Sequence, residues 1–246
     1  MKIVAHRGMN RQVLENTLPA FEAALAYADG VELDVQLARC GTPVVFHDDN
    51  LARIFGQPGT VADYSASELA QFAPRANEHY RGPYEGWQPT ADERIPTLRR
   101  VLDALGSELF VNVEIKAPRV MLRTPTAAVA QMLGERQGDY LVSSFNPIEL
   151  ARFARLSDRP TAFLYDPDSN LVLRNGWPAA VLRLTGLRAV HPNYKLVSLD
   201  LVERAHRRGW AVNVWTVNEP AHAAWLRTAG VDALITDVAD ELSVAR

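Results

Sequence analysis

One cysteine, Cys40, stands in the whole chain of 246 residues, and one thiol cannot close an internal disulfide. The fold must therefore rest on packing, which fits a reducing compartment. No run of about 20 apolar residues occurs, the length that a helix needs to cross a bilayer. Met1 leads straight to His6 without the charged start, apolar run and small-residue cleavage site of an export signal. A cytoplasmic chain without stable membrane insertion is expected. A basic excess is also missing, since the formal net charge is −3. That excludes extended contact with a nucleic-acid backbone and leaves any phosphate to be met locally. Low-complexity segments and short repeats are absent too. After the first apolar strand the chain has Gly8-Met9-Asn10-Arg11, not the glycine-rich loop that an open dinucleotide-binding sheet places there.

What is present is ordinary for a globular enzyme: 48% hydrophobic and 22% charged residues, enough for one large core and a single domain over residues 1–246. Apolar runs that begin at Ile3, Val31, Leu109, Tyr140, Thr161, Leu187, Ala211 and Ala233 read as strands. Helical patterns alternate with them over Leu18 to Ala26, Leu98 to Leu105, Thr126 to Arg136, Pro147 to Leu156, Ser198 to Arg208 and Pro220 to Thr228. Glu15-Asn16-Thr17 places a side-chain oxygen at the first helix's cap, with Pro19 in its opening turn. Eight strands alternating with helices in about 250 residues is the pattern of an α/β TIM (β/α)8 barrel. The irregular stretch from about 48 to 97 reads as an insertion after strand 2, of the kind that forms a lid or small subdomain. The segment from Asp166 to Val181 resists assignment.

Polar residues fall repeatedly at the C-terminal ends of these strands, where barrel enzymes build their sites. His6, Glu32, Asp34, Glu114, Lys116, Ser144, His191, Trp215 and Asp237 all do so, and His47 ends a further apolar run, Pro43 to Phe46. Strand alternation sends Val31, Leu33 and Val35 to one face and Glu32 and Asp34 to the other. In the same way Val111, Val113 and Ile115 face the helices, while Asn112, Glu114 and Lys116 face the barrel axis. Three carboxylates at one mouth repel one another, and a bound divalent cation removes that difficulty. An all-oxygen donor set favours Mg²⁺ or Ca²⁺ over zinc. Two histidines can act as general acid and base near neutrality, and Arg7 and Lys116 add fixed positive charge. Together these are the needs of in-line displacement at a phosphodiester. A glycoside hydrolase would need a carboxylate pair without so much positive charge.

Ala5-His6-Arg7-Gly8, Glu15-Asn16-Thr17, Glu32-Leu33-Asp34, His47-Asp48-Asp49, Glu114-Ile115-Lys116, Ser143-Ser144-Phe145, Trp215-Thr216-Val217-Asn218 and Thr236-Asp237 occur in that order. Taken together they resemble the glycerophosphodiester phosphodiesterases, in particular the small cytosolic bacterial type. The resemblance implies metal-dependent hydrolysis of glycerophosphodiesters to sn-glycerol 3-phosphate and an alcohol. It implies His6 and His47 as the acid/base pair, and Glu32, Asp34 and Glu114 as ligands of the divalent cation. Arg7 and Lys116 would contact the phosphate, with Glu15 near the metal or glycerol, and Phe145 and Trp215 would wall the glycerol pocket. In the family's scheme a glycerol hydroxyl attacks phosphorus and water then opens the cyclic phosphate. Leu14 and Arg39-Cys40-Gly41 depart from the family's usual residues in two turns.

Two other readings share these residues: a lysophospholipase D that accepts acyl-bearing substrates, and a barrel that binds phosphodiesters without turnover. For His191 the reach to the mouth and a packing role stand side by side. His79, His206 and His222 read as solvent-facing, Asp48 and Asp49 as groups that orient His47, and the aromatics from Tyr64 to Trp87 as a small satellite core. The leaving alcohol, the choice between Mg²⁺ and Ca²⁺, and the oligomeric state are left open.

Overall fold

The computed structural model describes residues 1–75, 90, 92–117, 123–168 and 185–244. His79, Tyr80, Tyr84, Trp87 and most of the Asp166 to Val181 segment lie outside the described residues. Nine strands form one sheet: β1 (Lys2–His6), β2 (Gly30–Leu37), β3 (Pro43–Val45), β4 (Phe110–Ile115), β5 (Tyr140–Ser144), β6 (Thr161–Tyr165), β7 (Leu187–Pro192), β8 (Ala211–Val214) and β9 (Ala233–Thr236). Eight of them run parallel in the order β1, β9, β8, β7, β6, β5, β4, β2, and β2 closes on β1 to make a barrel. The ninth, β3, lies antiparallel against the end of β2, Val35 opposite Val45, outside the closed ring.

The described helices are α1 (Leu18–Ala24), α2 (Ala52–Phe55), α3 (Ala66–Leu69), α4 (Leu98–Leu105), α5 (Thr126–Gly134), α6 (Pro147–Phe153), α7 (Leu199–Arg207), α8 (Pro220–Thr228) and α9 (Ala239–Val244). Their starts follow local chemistry. Thr97 caps α4 by accepting from Arg100 N at 3.3 Å, Asn146 caps α6 from Ile148 N at 3.0 Å, and Ser198 caps α7 from Leu201 N at 3.2 Å; each satisfies an N–H with no partner inside the helix. Thr17 differs from expectation. Its hydroxyl donates to the Leu14 carbonyl at 2.6 Å and makes no cap bond, so the turn before α1 has claimed it.

Alternation along the strands sorts side chains between two compartments. Ile3, Val31, Leu33, Val111, Val113 and Val142 join Phe21, Leu102, Val129, Leu150 and Phe153 in the main core between barrel and helices. Truncating one such residue to alanine would cost about 2–5 kcal/mol. Val4, Ala233 and Ile235 form one small cluster inside the barrel, and Leu141, Ala162 and Ala189 another. Above that apolar floor the inward positions of β1, β2 and β4 turn polar. A satellite core of Leu14, Val44, Phe46, Leu51, Ile54, Phe55 and Leu69, with Tyr64 and Phe72 against it, anchors the segment after β3 to the barrel.

Candidate active site

The site begins where β1 ends. Gly8 has φ +80°, and a Cβ there would lie 2.6 Å from the Ala20 backbone, so the turn packs on α1 only with glycine. Arg7 (φ 58°) and Asn16 (φ 57°) also adopt left-handed backbone conformations. Asn tolerates this region, whereas Arg seldom visits it. The two are tied by Asn16 N donating to the Arg7 carbonyl at 3.0 Å. This holds Arg7 over the barrel, with its Nη1 donating to Glu15 Oε1 at 3.0 Å and its Nε 3.3 Å from Asp34 Oδ2.

Glu32, Asp34 and Glu114 are buried, and an oxygen of each lies within 4.8 Å of the others. Their surroundings differ. Asp34 accepts from Asn16 Nδ2 at 2.9 Å and lies 3.5 Å from Lys116 Nζ. Burial pushes its pKa up, but the positive charges of Lys116 and Arg7 outweigh this and bring it well below the usual carboxylate range. For Glu32, burial and then the charges of Asp34 and Glu114 push the carboxyl well above its ordinary value; its oxygen accepts from Arg7 N at 3.1 Å. Lys116 reaches Glu114 Oε1 at 2.9 Å. Burial works against its charge, yet Glu114 and Asp34 raise its pKa overall. An all-oxygen trio with anionic charge disfavoured at one member suits a hard divalent cation. A second group, Glu15, His47 and Asp48, is also close enough, but Arg53 already bridges Glu15 Oε1 at 2.7 Å and Asp48 Oδ2 at 2.6 Å.

The two histidines are held alike. His6 Nδ1 lies 2.7 Å from Asp237 Oδ1, and His47 Nδ1 lies 2.9 Å from Asp48 Oδ1. A carboxylate accepts the Nδ1 proton and leaves Nε2 for the site; Nε2 of His6 is 4.0 Å from Glu32 Oε2. Asp237 is itself fixed by Asn10 Nδ2 at 2.6 Å and Asn218 Nδ2 at 2.7 Å. Asp237 and Asp48 both lie below the ordinary carboxylate range: burial opposes this, and the hydrogen bond to the histidine leads the effects that outweigh it.

A cavity of about 230 Å³ is lined by His6, Arg7, Glu32, His47, Asn112, Glu114, Lys116, Phe145, Leu164, Trp215, Thr216 and Ile235. The rings of Phe145 and Trp215 meet edge to face at 5.5 Å. Every residue singled out from the sequence for catalysis, metal or substrate contact thus lies in this cavity or touches a residue that lines it, Asp34 and Glu15 by way of Arg7. His191 does not line it. It is fully buried and accepts from Asn213 Nδ2 at 2.9 Å, while its carbonyl accepts from Trp215 Nε1 at 2.7 Å, so packing is its role. Ser144 is turned away likewise, donating to the Ile115 carbonyl at 2.8 Å. His206 and His222 are exposed.

Arg53, Asn10, Asn16 and Asn218 were not singled out from the sequence as site side chains. They act through other residues: Asn16 and Asn218 stand inside the Glu15-Asn16-Thr17 and Trp215-Thr216-Val217-Asn218 motifs without a role of their own, while Arg53 is marked only as a charge in an otherwise apolar turn of helix six residues after His47.

A closed parallel barrel with acidic, basic and histidine side chains gathered at the C-terminal ends of its strands is an enzyme architecture, and this site has the groups of a phosphoric diester hydrolase. The chain belongs to the glycerophosphoryl diester phosphodiesterase family, whose pattern it matches over residues 6–241. It is 32% identical over 242 residues to a glycerophosphodiester phosphodiesterase of Caldanaerobacter subterraneus subsp. tengcongensis, covering 96% of this chain and 93% of that one. The crystal structure of the Thermotoga maritima glycerophosphodiester phosphodiesterase superposes with a TM-score of 0.79 at 27% identity, covering 99% and 97% of the two chains. The fold is shared as well with an Oleispira antarctica phosphodiesterase solved with sn-glycerol-3-phosphate, with a TM-score of 0.84, 24% identity and coverage of 100% and 96%.

Proposed function

We propose that this protein hydrolyses glycerophosphodiesters to sn-glycerol 3-phosphate and an alcohol, with His6 and His47 as the proton-transfer pair and a divalent cation held by Glu32, Asp34 and Glu114. The observation that carries this reading is the matched anchoring of the two imidazoles: each Nδ1 is bonded to a carboxylate, at 2.7 and 2.9 Å, and both rings line the cavity that Glu32 and Glu114 enter. One Nε2 takes the proton of the attacking glycerol hydroxyl while the other gives a proton to the departing alcohol oxygen, and with the two roles reversed water opens the resulting cyclic phosphate to glycerol 3-phosphate. Lys116 and Arg7, both kept cationic by the carboxylates around them, face the phosphate oxygens. When held by Glu32, Asp34 and Glu114, Mg²⁺ or Ca²⁺ would supply further neutralisation of phosphate charge. Glu15 sets the Arg7 side chain, and Phe145 and Trp215 form the wall against which the glycerol carbons pack.

The test is release of glycerol 3-phosphate from glycerophosphocholine or glycerophosphoethanolamine with Mg²⁺, with Ca²⁺, and with chelator. Chelation should abolish it, and His6→Ala or Glu114→Ala should lower kcat by at least about 10²-fold. Full activity in either variant would overturn the proposal.

A further inference from the structure

Among the described residues, the buried amides in and around this site are hydrogen-bonded, with one exception. Asn16 exchanges bonds with Asp34 in both directions, Asn218 does the same with Asp237, and Asn213 donates to His191. Asn112 is 1% exposed, yet neither its Nδ2 nor its Oδ1 has a partner among the described residues. It lies on the inward face of β4, in register with Glu32 and two residues before Glu114, and it lines the cavity. The other cavity-lining atom in that condition, Arg7 Nε, sits 3.3 Å from Asp34 Oδ2 in an ion pair. A buried polar group without a partner is costly, and natural proteins keep few of them. An unsatisfied amide among the residues that line a binding cavity is where a ligand's polar groups find a donor and an acceptor without a competing partner.

We infer that Asn112 is a specificity-determining residue that reads the two free hydroxyls of the glycerol moiety from the floor of the cavity. The inference rests on the functional reading above. A carboxamide presents a donor and an acceptor side by side. A phosphate oxygen could use only Nδ2, and a cation only Oδ1, leaving the other atom unsatisfied in either case. Adjacent hydroxyls satisfy both, one accepting from Nδ2 and the other donating to Oδ1. The position agrees with this: Asn112 lies deeper along β4 than Glu114 and Lys116, so a substrate with its phosphate at those residues extends its carbon end toward the amide. Leu164 and Ile235 lend apolar contact there.

The test compares binding of sn-glycerol 3-phosphate with that of 1,2-propanediol 1-phosphate, which lacks the terminal hydroxyl, by calorimetry in Mg²⁺ and with inorganic phosphate as control. Wild type should favour sn-glycerol 3-phosphate by about tenfold or more, since a site built to bond a hydroxyl rejects the analogue without it. Asn112→Leu and Asn112→Ser should reduce that preference to within about twofold, with phosphate binding unchanged and folding intact by circular dichroism. A wild-type preference retained in either folded variant overturns the inference and leaves Asn112 bonded to buried water alone. If wild type binds phosphate but neither organic ligand, the functional reading fails first and carries this inference with it.

Discussion

His191 sets an acid limit on the fold. Its ring is fully buried on the inward side of β7 with one bonded nitrogen, and burial alone pushes its pKa down to about 3. In the unfolded chain the same imidazole titrates near 6.5. Because the folded value is the lower one, the unfolded state binds the extra proton. Native stability is thus complete above about pH 6.5 and is lost as pH falls toward the folded value. With about 1.36 kcal/mol per pKa unit, this one side chain should remove about 2 kcal/mol of stability between pH 8 and pH 5 and about 3 kcal/mol by pH 4. His191→Gln keeps an acceptor for Asn213 but cannot titrate. Urea unfolding of both proteins at fixed temperature with chelator present, followed by tryptophan fluorescence, gives the comparison. The variant starts less stable at pH 8, and the gap between the two proteins should close by about 2 kcal/mol at pH 5. Parallel stability curves from pH 8 to pH 5 would refute the burial argument for His191.

Two further outcomes concern the residues that aim the histidines. Asp237→Asn removes the negative charge beside His6 and turns one of the two acceptor oxygens into an N–H donor, set against the Asn10 and Asn218 amides and the His6 ring that now share the carboxylate. Its kcat should fall by about 10²–10⁴-fold with cation affinity, read by calorimetry, unchanged; activity within threefold of wild type would contradict the role. Arg53→Lys replaces a guanidinium, bonded in a paired fork to Asp48 and also to Glu15, with a single ammonium nitrogen that cannot reproduce the fork. A drop in kcat of about 10–100-fold at nearly constant KM is expected in steady-state assays, and a change confined to KM would instead make Arg53 a substrate contact.

The barrel was legible because a closed parallel sheet imposes the same rule on every strand. Each of Ile3, Val31, Leu109, Tyr140, Thr161, Leu187, Ala211 and Ala233 stands within one residue of an observed strand start, since alternation between an apolar outer face and the barrel axis is written locally in the chain. The same period set Glu32, Asp34 and Glu114 on the inward face, where the folded barrel brings an oxygen of each within 4.8 Å of the others. What escaped depends on contacts the chain makes only after closing. His6 meets Asp237 across 231 positions, and Asn16 meets Asp34 across a left-handed turn that no periodicity encodes. His191 could be placed only once β7 and β8 were side by side, when Asn213 took its Nε2 and ended its ambiguity between mouth and core. Asn112 marks the sharpest division. From the sequence it was one inward residue beside strand positions that had roles, Glu114 and Lys116, and had none itself. In the folded barrel Glu114 has Lys116 as its partner, while among the described residues Asn112 is the buried side chain with both a donor and an acceptor unpartnered, and it is that difference in satisfaction together with its place on the cavity lining that sets it apart from Glu114.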